Sequence, residues 1–315
     1  MESRQALSSE ERICAALAHG SALLFFFGLF APLLIWSSQR KKSSYVAFQA
    51  LQSLGYQIIS YCLWLLLSIL FPFLICAALV IVLLMDQNIA AENPAFILGM
   101  QFFMIASILG VGGVYILIGL IGAILSITGR DFRYPILGNW LARYLNYRPA
   151  PTESGPATGL DEEREDRWVA SLGHASVTIQ LWGLFVPMLA WITQRDRSRM
   201  LHFQALQALV YQGLGLLTYF SAMALYMVSF SLMFSSLLFT AGPGNSGEPS
   251  GIVMLLFFGV MMFMVLVFMV GGPIYLLLGL WAAVRVVRGH DFHYPLLGRL
   301  IASRIEKPAE SATAN

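Results

Sequence analysis

Four polar side chains recur on one helical face twice in this chain. Gln49, Gln52, Tyr56 and Gln57 come first, and at the offset separating His19 from His174 they return as Gln204, Gln207, Tyr211 and Gln212. Spacing of i, i+3, i+7 and i+8 lines each set along a single stripe. The surrounding sequence is apolar, and an amide in hydrocarbon is costly unless it is bonded. Two readings follow. The stripes hydrogen-bond across the two halves of the chain, at about 0.6–2 kcal/mol per bond, or they line a polar groove or conduit near one leaflet.

No other residues add bond-making chemistry to these stripes. His19 and His174 each stand in the first apolar segment of a half, where a neutral imidazole would donate to a carbonyl freed by a helix break. Metal ligation would need partners, yet the positions of His202, His290 and His293 are held in the first half by Ala47, Arg130 and Arg133, so no symmetric cluster forms. Cys14, Cys62 and Cys76 have no metal or redox spacing and read as small buried hydrophobes. P-loop, HExxH and GxSxG motifs are missing from the sequence, as is an acidic pair within an apolar run. The expectation is a non-enzymatic protein with no catalytic residue, no cofactor and no metal, and with no proton transport through buried acids.

A second repeated phrase follows a long apolar run each time: TGRDFRYPILG at 128–138 and RGHDFHYPLLG at 288–298. Gly129 and Gly289 suit the left-handed residue that ends a helix. Asp131 and Asp291 suit an Asx turn or N-cap, with a ligand site as the alternative, and Pro135 and Pro295 suit the first turn of a new helix. Tyr134 and Tyr294 complete the phrase. The helix that begins there gathers Ile136, Leu137, Trp140, Leu141, Tyr144 and Leu145 on one face with Arg143 opposite, a pattern for lying flat in the membrane interface.

These phrases belong to a tandem repeat. GLFAPLLIW (28–36) lies on GLFVPMLAW (183–191) and FQALQ (48–52) on FQALQ (203–207). The expected organisation is membrane repeat 1 over 1–147, a Pro/Gly/acidic linker over 148–166, membrane repeat 2 over 167–305 and a disordered tail over 306–315. The class follows from composition. Of 315 residues, 58% are hydrophobic and 11% charged, whereas a soluble surface needs about 25% charged residues. Apolar runs at 47–85, 94–128, 201–240 and 251–284 exceed the roughly 18 residues that read as a membrane helix. The N-terminal MESRQALSSEER is polar and acidic, unlike a cleavable signal. An all-α, polytopic helical membrane protein is expected, in contact with the lipid bilayer and with other membrane subunits, and not with nucleic acid.

Lys and Arg crowd SSQRKKSS (37–44), TGRDFR (128–133), TQRDRSR (193–199) and RVVRGH (285–290). Cationic loops stay cytoplasmic, so the two repeats must run parallel. That requires residues 13–36 and 168–191 to dip in and return, with the turn near Gly28–Pro32 and Gly183–Pro187, where the prolines break an interior helix. Each repeat then carries a Pro-broken re-entrant hairpin, two long transmembrane helices and an interfacial helix. Both termini are expected in the cytoplasm of a bacterial plasma membrane. A further kink or hairpin at Phe71-Pro72 would raise the span count.

The order of an acidic-Arg cap, His, GLFxP…W, a basic loop, FQALQ and GxDFxYP resembles a widespread bacterial membrane domain of unknown function. That domain is similar to the twenty-kilodalton Tic family of the chloroplast protein-import machinery. The likeness covers nearly all of both halves and implies a tandem duplication of a helical membrane bundle. The repeated Gln/Tyr faces point to a channel- or translocation-like bundle or its accessory; the alternative, from the large apolar faces and the lack of a catalytic constellation, is a structural subunit or assembly factor of a larger membrane complex. In relatives a His often precedes the FQALQ phrase. His202 fits that pattern and Ala47 does not.

Overall fold

The computed structural model describes residues 7–85, 94–148, 159–240 and 250–311, and no strand occurs among them. Each repeat opens on a capped helix. In α1 (Ser9–Gly20) the Ser8 hydroxyl accepts from the Glu11 amide while the Glu11 carboxylate accepts from the Ser8 amide, a capping box that satisfies two otherwise orphaned donors. A 3-10 segment (Ser21–Leu29) leads into α2 (Phe30–Gln39). The long α3 (Ser44–Met85) and α4 (Pro94–Ile127) follow, then the short α5 (Leu137–Tyr144). Repeat 2 matches it: α6 (Glu162–Ala175), a 3-10 segment (Ser176–Leu184), α7 (Phe185–Gln194) and α8 (Arg199–Thr240). It closes with α9 (Gly251–Leu266), a π-helical turn (Val267–Gly271), α10 (Gly272–Val287) and α11 (Leu297–Ser311). Pro273 lacks an amide donor, and the wider turn before it absorbs the missing bond.

Six helical segments are long and apolar enough to cross a membrane, including Ser9–Gln39 and Glu162–Gln194. Those two do not run straight. Residues seven apart in a helix are separated by about 10 Å along the axis, yet a methyl group on Gly28 would strike the Ser21 carbonyl, and the Ser176 hydroxyl donates to the Gly183 carbonyl at 2.8 Å. The far end of α2 returns to the start of α1, where Gln39 Nε2 reaches Glu10 at 3.4 Å and the Ser43 hydroxyl reaches Glu11 at 2.6 Å. Both segments are folded-back hairpins, which leaves four crossing segments and two parallel repeats.

The turn lies elsewhere than the proline rule places it. The chain reverses at Phe25 (φ 49°) and Gln180 (φ 53°), left-handed positions that cost about 1–3 kcal/mol and hold only when the surroundings fix them. Pro32 and Pro187 sit in the first turns of α2 and α7, where a proline costs no intrahelical bond. Gly28 and Gly183 are needed for the close return itself. Phe71-Pro72 breaks nothing, since α3 continues through Pro72.

Further expectations are corrected in the same way. The segment read as a linker ends by Asp161, which caps α6 through its side chain; the acids after it form the first turn of the helix, with Glu165 and Asp166 buried. Residues 149–158 lie outside the described ones, as do 312–315 of the tail, and α11 runs on to Ser311. Leu141 and Leu145 of α5 are buried in the main core, against protein rather than lipid, while Ile136 is exposed. Gly119 and Gly122 let α4 approach Ala22, His19 and Phe132, and Gly279 packs on Val177.

All the basic loops meet at one end of the molecule. The Tyr45 hydroxyl donates to the Arg130 carbonyl, Arg40 pairs with Glu165 and Arg167 pairs with Asp291. Reporters fused after Arg40 and after Arg197 should therefore signal from the same side of the membrane. Opposite signals would refute the folded-back hairpins.

Candidate functional site

The amide stripes are positioned by the first turns of α3 and α8, and they face neither water nor each other. Gln49, Gln52, Gln57, Gln204, Gln207 and Gln212 are all buried. Each bonds within its own repeat. Gln49 Nε2 donates to Asp131 Oδ1 at 3.0 Å and to the Phe132 carbonyl at 3.2 Å, and Gln52 Nε2 donates to the same carbonyl at 2.7 Å. The Gln52 carbonyl oxygen accepts from the Tyr134 amide at 3.4 Å. In repeat 2, Gln204 and Gln207 donate to the Phe292 carbonyl at 3.2 and 3.0 Å, and the Tyr294 amide donates to Gln207 at 3.1 Å. The FQALQ stripe is thus a clamp on the DFxYP loop.

The histidines complete this clamp. His19 Nε2 lies 2.9 Å from Gln49 Oε1, and Nδ1 lies 2.8 Å from the Tyr134 hydroxyl. Because the Phe132 carbonyl can only accept, the Gln49 nitrogen must point to it and the Gln49 oxygen to the ring. Nε2 therefore carries a proton; fully buried with no carboxylate against the ring, His19 is neutral, and its Nδ1 accepts a hydrogen bond from the Tyr134 hydroxyl. His174 repeats this with Gln204 at 3.0 Å and Tyr294 at 3.1 Å. The expectation that each histidine donates to a broken-helix carbonyl is corrected: serines and Gln212 take that role. Ser53 and Ser21 donate to the Ala18 carbonyl, and Gln212 and Ser176 to that of Gly173. Gln57 bonds Ser21 and Ser53. Tyr56 donates to the Tyr115 carbonyl and Tyr211 to that of Tyr275, both at 2.9 Å, and each ring stacks at 4.0 Å on Tyr134 or Tyr294.

The loop itself is built to be clamped. Gly129 (φ 79°) and Gly289 (φ 88°) end their helices in Schellman bonds, from Gly129 to Ser126 and Arg130 to Leu125, and from Gly289 to Val286 and His290 to Arg285. Asp131 does not cap a helix. Its carboxylate accepts from Gln49, Tyr147 and Arg133, while Asp291 pairs with Arg167 at 3.4 Å. Pro135 and Pro295 stand just ahead of the helix, each opening a three-residue turn through Ile136 (φ 64°) or Leu296 (φ 67°). Burial raises the hydroxyl pKa of Tyr134, Tyr147 and Tyr294, so all three stay protonated donors or acceptors. Among the described residues no three His, Cys, Asp or Glu side chains gather to hold a metal ion.

A second polar cluster, absent from the sequence reading, joins the repeats. Arg40 is buried between Glu165 (3.2 Å) and Asp166 (2.8 Å), donates to the Gln194 carbonyl oxygen at 3.1 Å, and lies 4.6 Å above the Trp36 ring. Trp36 Nε1 donates to Glu165 at 2.9 Å. Beside it Trp168 donates to the Leu51 carbonyl at 3.1 Å and lays its ring on Gly55. The signal was available: two acids heading an apolar helix, and a Trp and Arg four residues apart at a helix end.

These observations define a duplicated helical membrane module whose polar groups serve to hold its own parts together. The chain belongs to the magnetosome magnetite crystal formation protein family, whose model matches residues 10–141 and again 165–301, once per repeat. No curated protein and no solved structure matches it.

Tyr134→Phe and Tyr294→Phe each leave a buried histidine nitrogen without its donor, and each should lower stability by about 1–3 kcal/mol, read as thermal unfolding in mild detergent. Arg40→Ala strands two buried carboxylates and should cost about 3–5 kcal/mol. Arg195→Ala, at the equivalent but exposed pair with Asp196, should change the stability of dilute single chains by less than about 0.5 kcal/mol.

Proposed function

We propose that this chain is a structural scaffold of a bacterial membrane, acting in magnetite crystal formation as its family is described. The observation that carries the reading is the bonding of the amide stripes: each of the six glutamines spends its nitrogen on a group in its own repeat and is shielded from solvent. A conduit would need those amides to face water, and a transporter would need polar groups free to bind cargo. Here they immobilise the hairpin and the DFxYP loop, and so set the shape of the protein that lipid and neighbouring proteins meet. The positive-inside rule puts the basic end, with both described chain ends, in the cytoplasm. The family description makes iron oxide the mineral concerned, as a product of the compartment rather than a resident cofactor of this chain.

Gln52→Cys and Gln207→Cys should resist a membrane-impermeant maleimide applied from either side, while Arg197→Cys, in an exposed loop, reacts from one. The unmodified protein in vesicles should pass ions no faster than empty vesicles. Labelled amide positions together with a conductance would replace the scaffold by a channel. Removing the gene from its native cell should alter crystal size or number in electron micrographs, and unaltered crystals would detach the scaffold from mineral formation.

A further inference from the structure

The contact between the two repeats is not reciprocal. Phe27 meets Trp182 at 4.5 Å and Phe30 meets Phe185 at 5.1 Å. These are equivalent residues touching each other, so they lie near the axis that relates the repeats. Away from that axis the contact runs one way only: α6 of repeat 2 lies on α3 of repeat 1. A two-fold relation would require α1 to lie on α8 as well, and it does not. Trp168 and Leu172 of α6 are 4% and 2% exposed, whereas their counterparts Ile13 and Leu17 on α1 are 48% and 58% exposed. The receiving face differs in the same way. Leu51, Leu54 and Ile58 of α3 are fully buried, while Leu206, Leu209 and Gly213, their counterparts on α8, are partly open.

The polar groups of that contact are left over as well. Trp191 and Arg195 reproduce the Trp36–Arg40 pair at the end of α7, with the guanidinium 5.6 Å from the ring. Trp36 donates to Glu165, but Trp191 Nε1 is enclosed with no hydrogen-bond acceptor among the described residues. Arg195 meets only the adjacent, exposed Asp196 at 3.6 Å among its ion pairs. The acids equivalent to Glu165 and Asp166 are Glu10 and Glu11, in the first turn of α1. Glu10 is exposed and touches Gln39 at 3.4 Å. The end of α7 therefore holds a Trp–Arg pair whose carboxylate is the adjacent, exposed Asp196, and the start of α1 holds the exposed Glu10 next to Glu11, which is bonded to Ser8 and Ser43; each lies beside an uncovered copy of the apolar face that is buried between the repeats.

We propose that the chain assembles head to tail with copies of itself, α1 of one copy docking on α7 and α8 of the next as α6 docks on α2 and α3 within the chain. Glu10 then pairs with Arg195 beside the Trp191 ring, and Ile13 packs against Val210 and the exposed Leu300, the counterparts of Gly55 and Trp140. A one-way contact of this kind leaves an open face at each end, so it propagates until the rotation closes a ring or the row ends. The inference deepens the scaffold reading by naming a second copy as the partner. Its test reads self-contact alone, so flux or crystal results can fail independently of it.

The test is crosslinking in native membranes with a short bis-maleimide, in full-length protein whose Cys14, Cys62 and Cys76 have been replaced. Ile13→Cys with Val210→Cys in one chain should give a ladder of dimers and larger species, and either substitution alone should give none. Glu10→Arg or Arg195→Glu added singly should reduce the ladder several-fold, and the two together should restore it. Crosslinking by Ile13→Cys alone would mean a two-fold dimer and overturn the proposal. So would a double-cysteine chain that reacts with a monofunctional maleimide at both sites yet stays monomeric on the gel, since that protein is accessible but uncontacted. A ladder indifferent to both charge changes would remove the Glu10–Arg195 contact and with it the equivalence on which the docking rests.

Discussion

A buried amide with no bond is expensive in an apolar surrounding, about 1–3 kcal/mol for each unsatisfied group, and this constraint organises the molecule. The six glutamines of the two stripes lie in the dry interior, and the fold is arranged so that something meets each of their nitrogens. For five of them it is backbone carbonyl that regular structure could not satisfy, Phe132 and Phe292 in the DFxYP loops and Gly173 where a helix gives way to a turn, and for Gln57 it is the Ser21 and Ser53 hydroxyls. The side chains and the irregular backbone need each other. Remove the glutamines and the loop cannot stay buried; straighten the loop and the glutamines cannot stay dry. Non-helical backbone survives at membrane depth only where protein bonds it in this way.

Much of the architecture was legible because periodicity and charge are local. Long apolar runs, the repeat, the helix-ending glycines and the parallel arrangement demanded by the basic loops all follow from residue order. The location of the hairpin turn did not, because proline is a weak locator when it can sit harmlessly in a first turn. The reversal falls on Phe25 and Gln180, residues with no intrinsic liking for a left-handed conformation. Only the approach of Gly28 to the Ser21 carbonyl and the bonds beneath it explain why the chain turns there.

The polar stripe was visible, but what it does was not. Spacing shows that Gln49, Gln52, Tyr56 and Gln57 share a face; it cannot show that the DFxYP loop folds inward to meet that face. Asp131 misled for the same reason, since Asp before a helix suggests a cap, while its oxygens are taken by Gln49, Tyr147 and Arg133. The Arg40 cluster went unread because its members come from both repeats. Buried charge pairs of this sort are weak contributors to net stability but strong selectors of geometry, because a misdocked arrangement leaves them unpaired. Divergence between the copies, Gly55 against Val210 and Trp168 against Ile13, is what makes their joining directional.

The length of the crossing helices has a consequence for the lipid. α3 and α8 have 42 residues each, about 63 Å of helix. Uncovered apolar side chains begin at Ile59 in α3 and at Leu214 in α8 and continue to the far ends, a sleeve of about 40 Å around which hydrocarbon is only about 30 Å thick. Mismatch of this size is relieved by leaning the helices, stretching the acyl chains beside them, or crowding molecules so that fewer lipids are deformed. The protein therefore carries a preference for thick, ordered or already distorted patches, and it imposes its own height on the membrane it occupies.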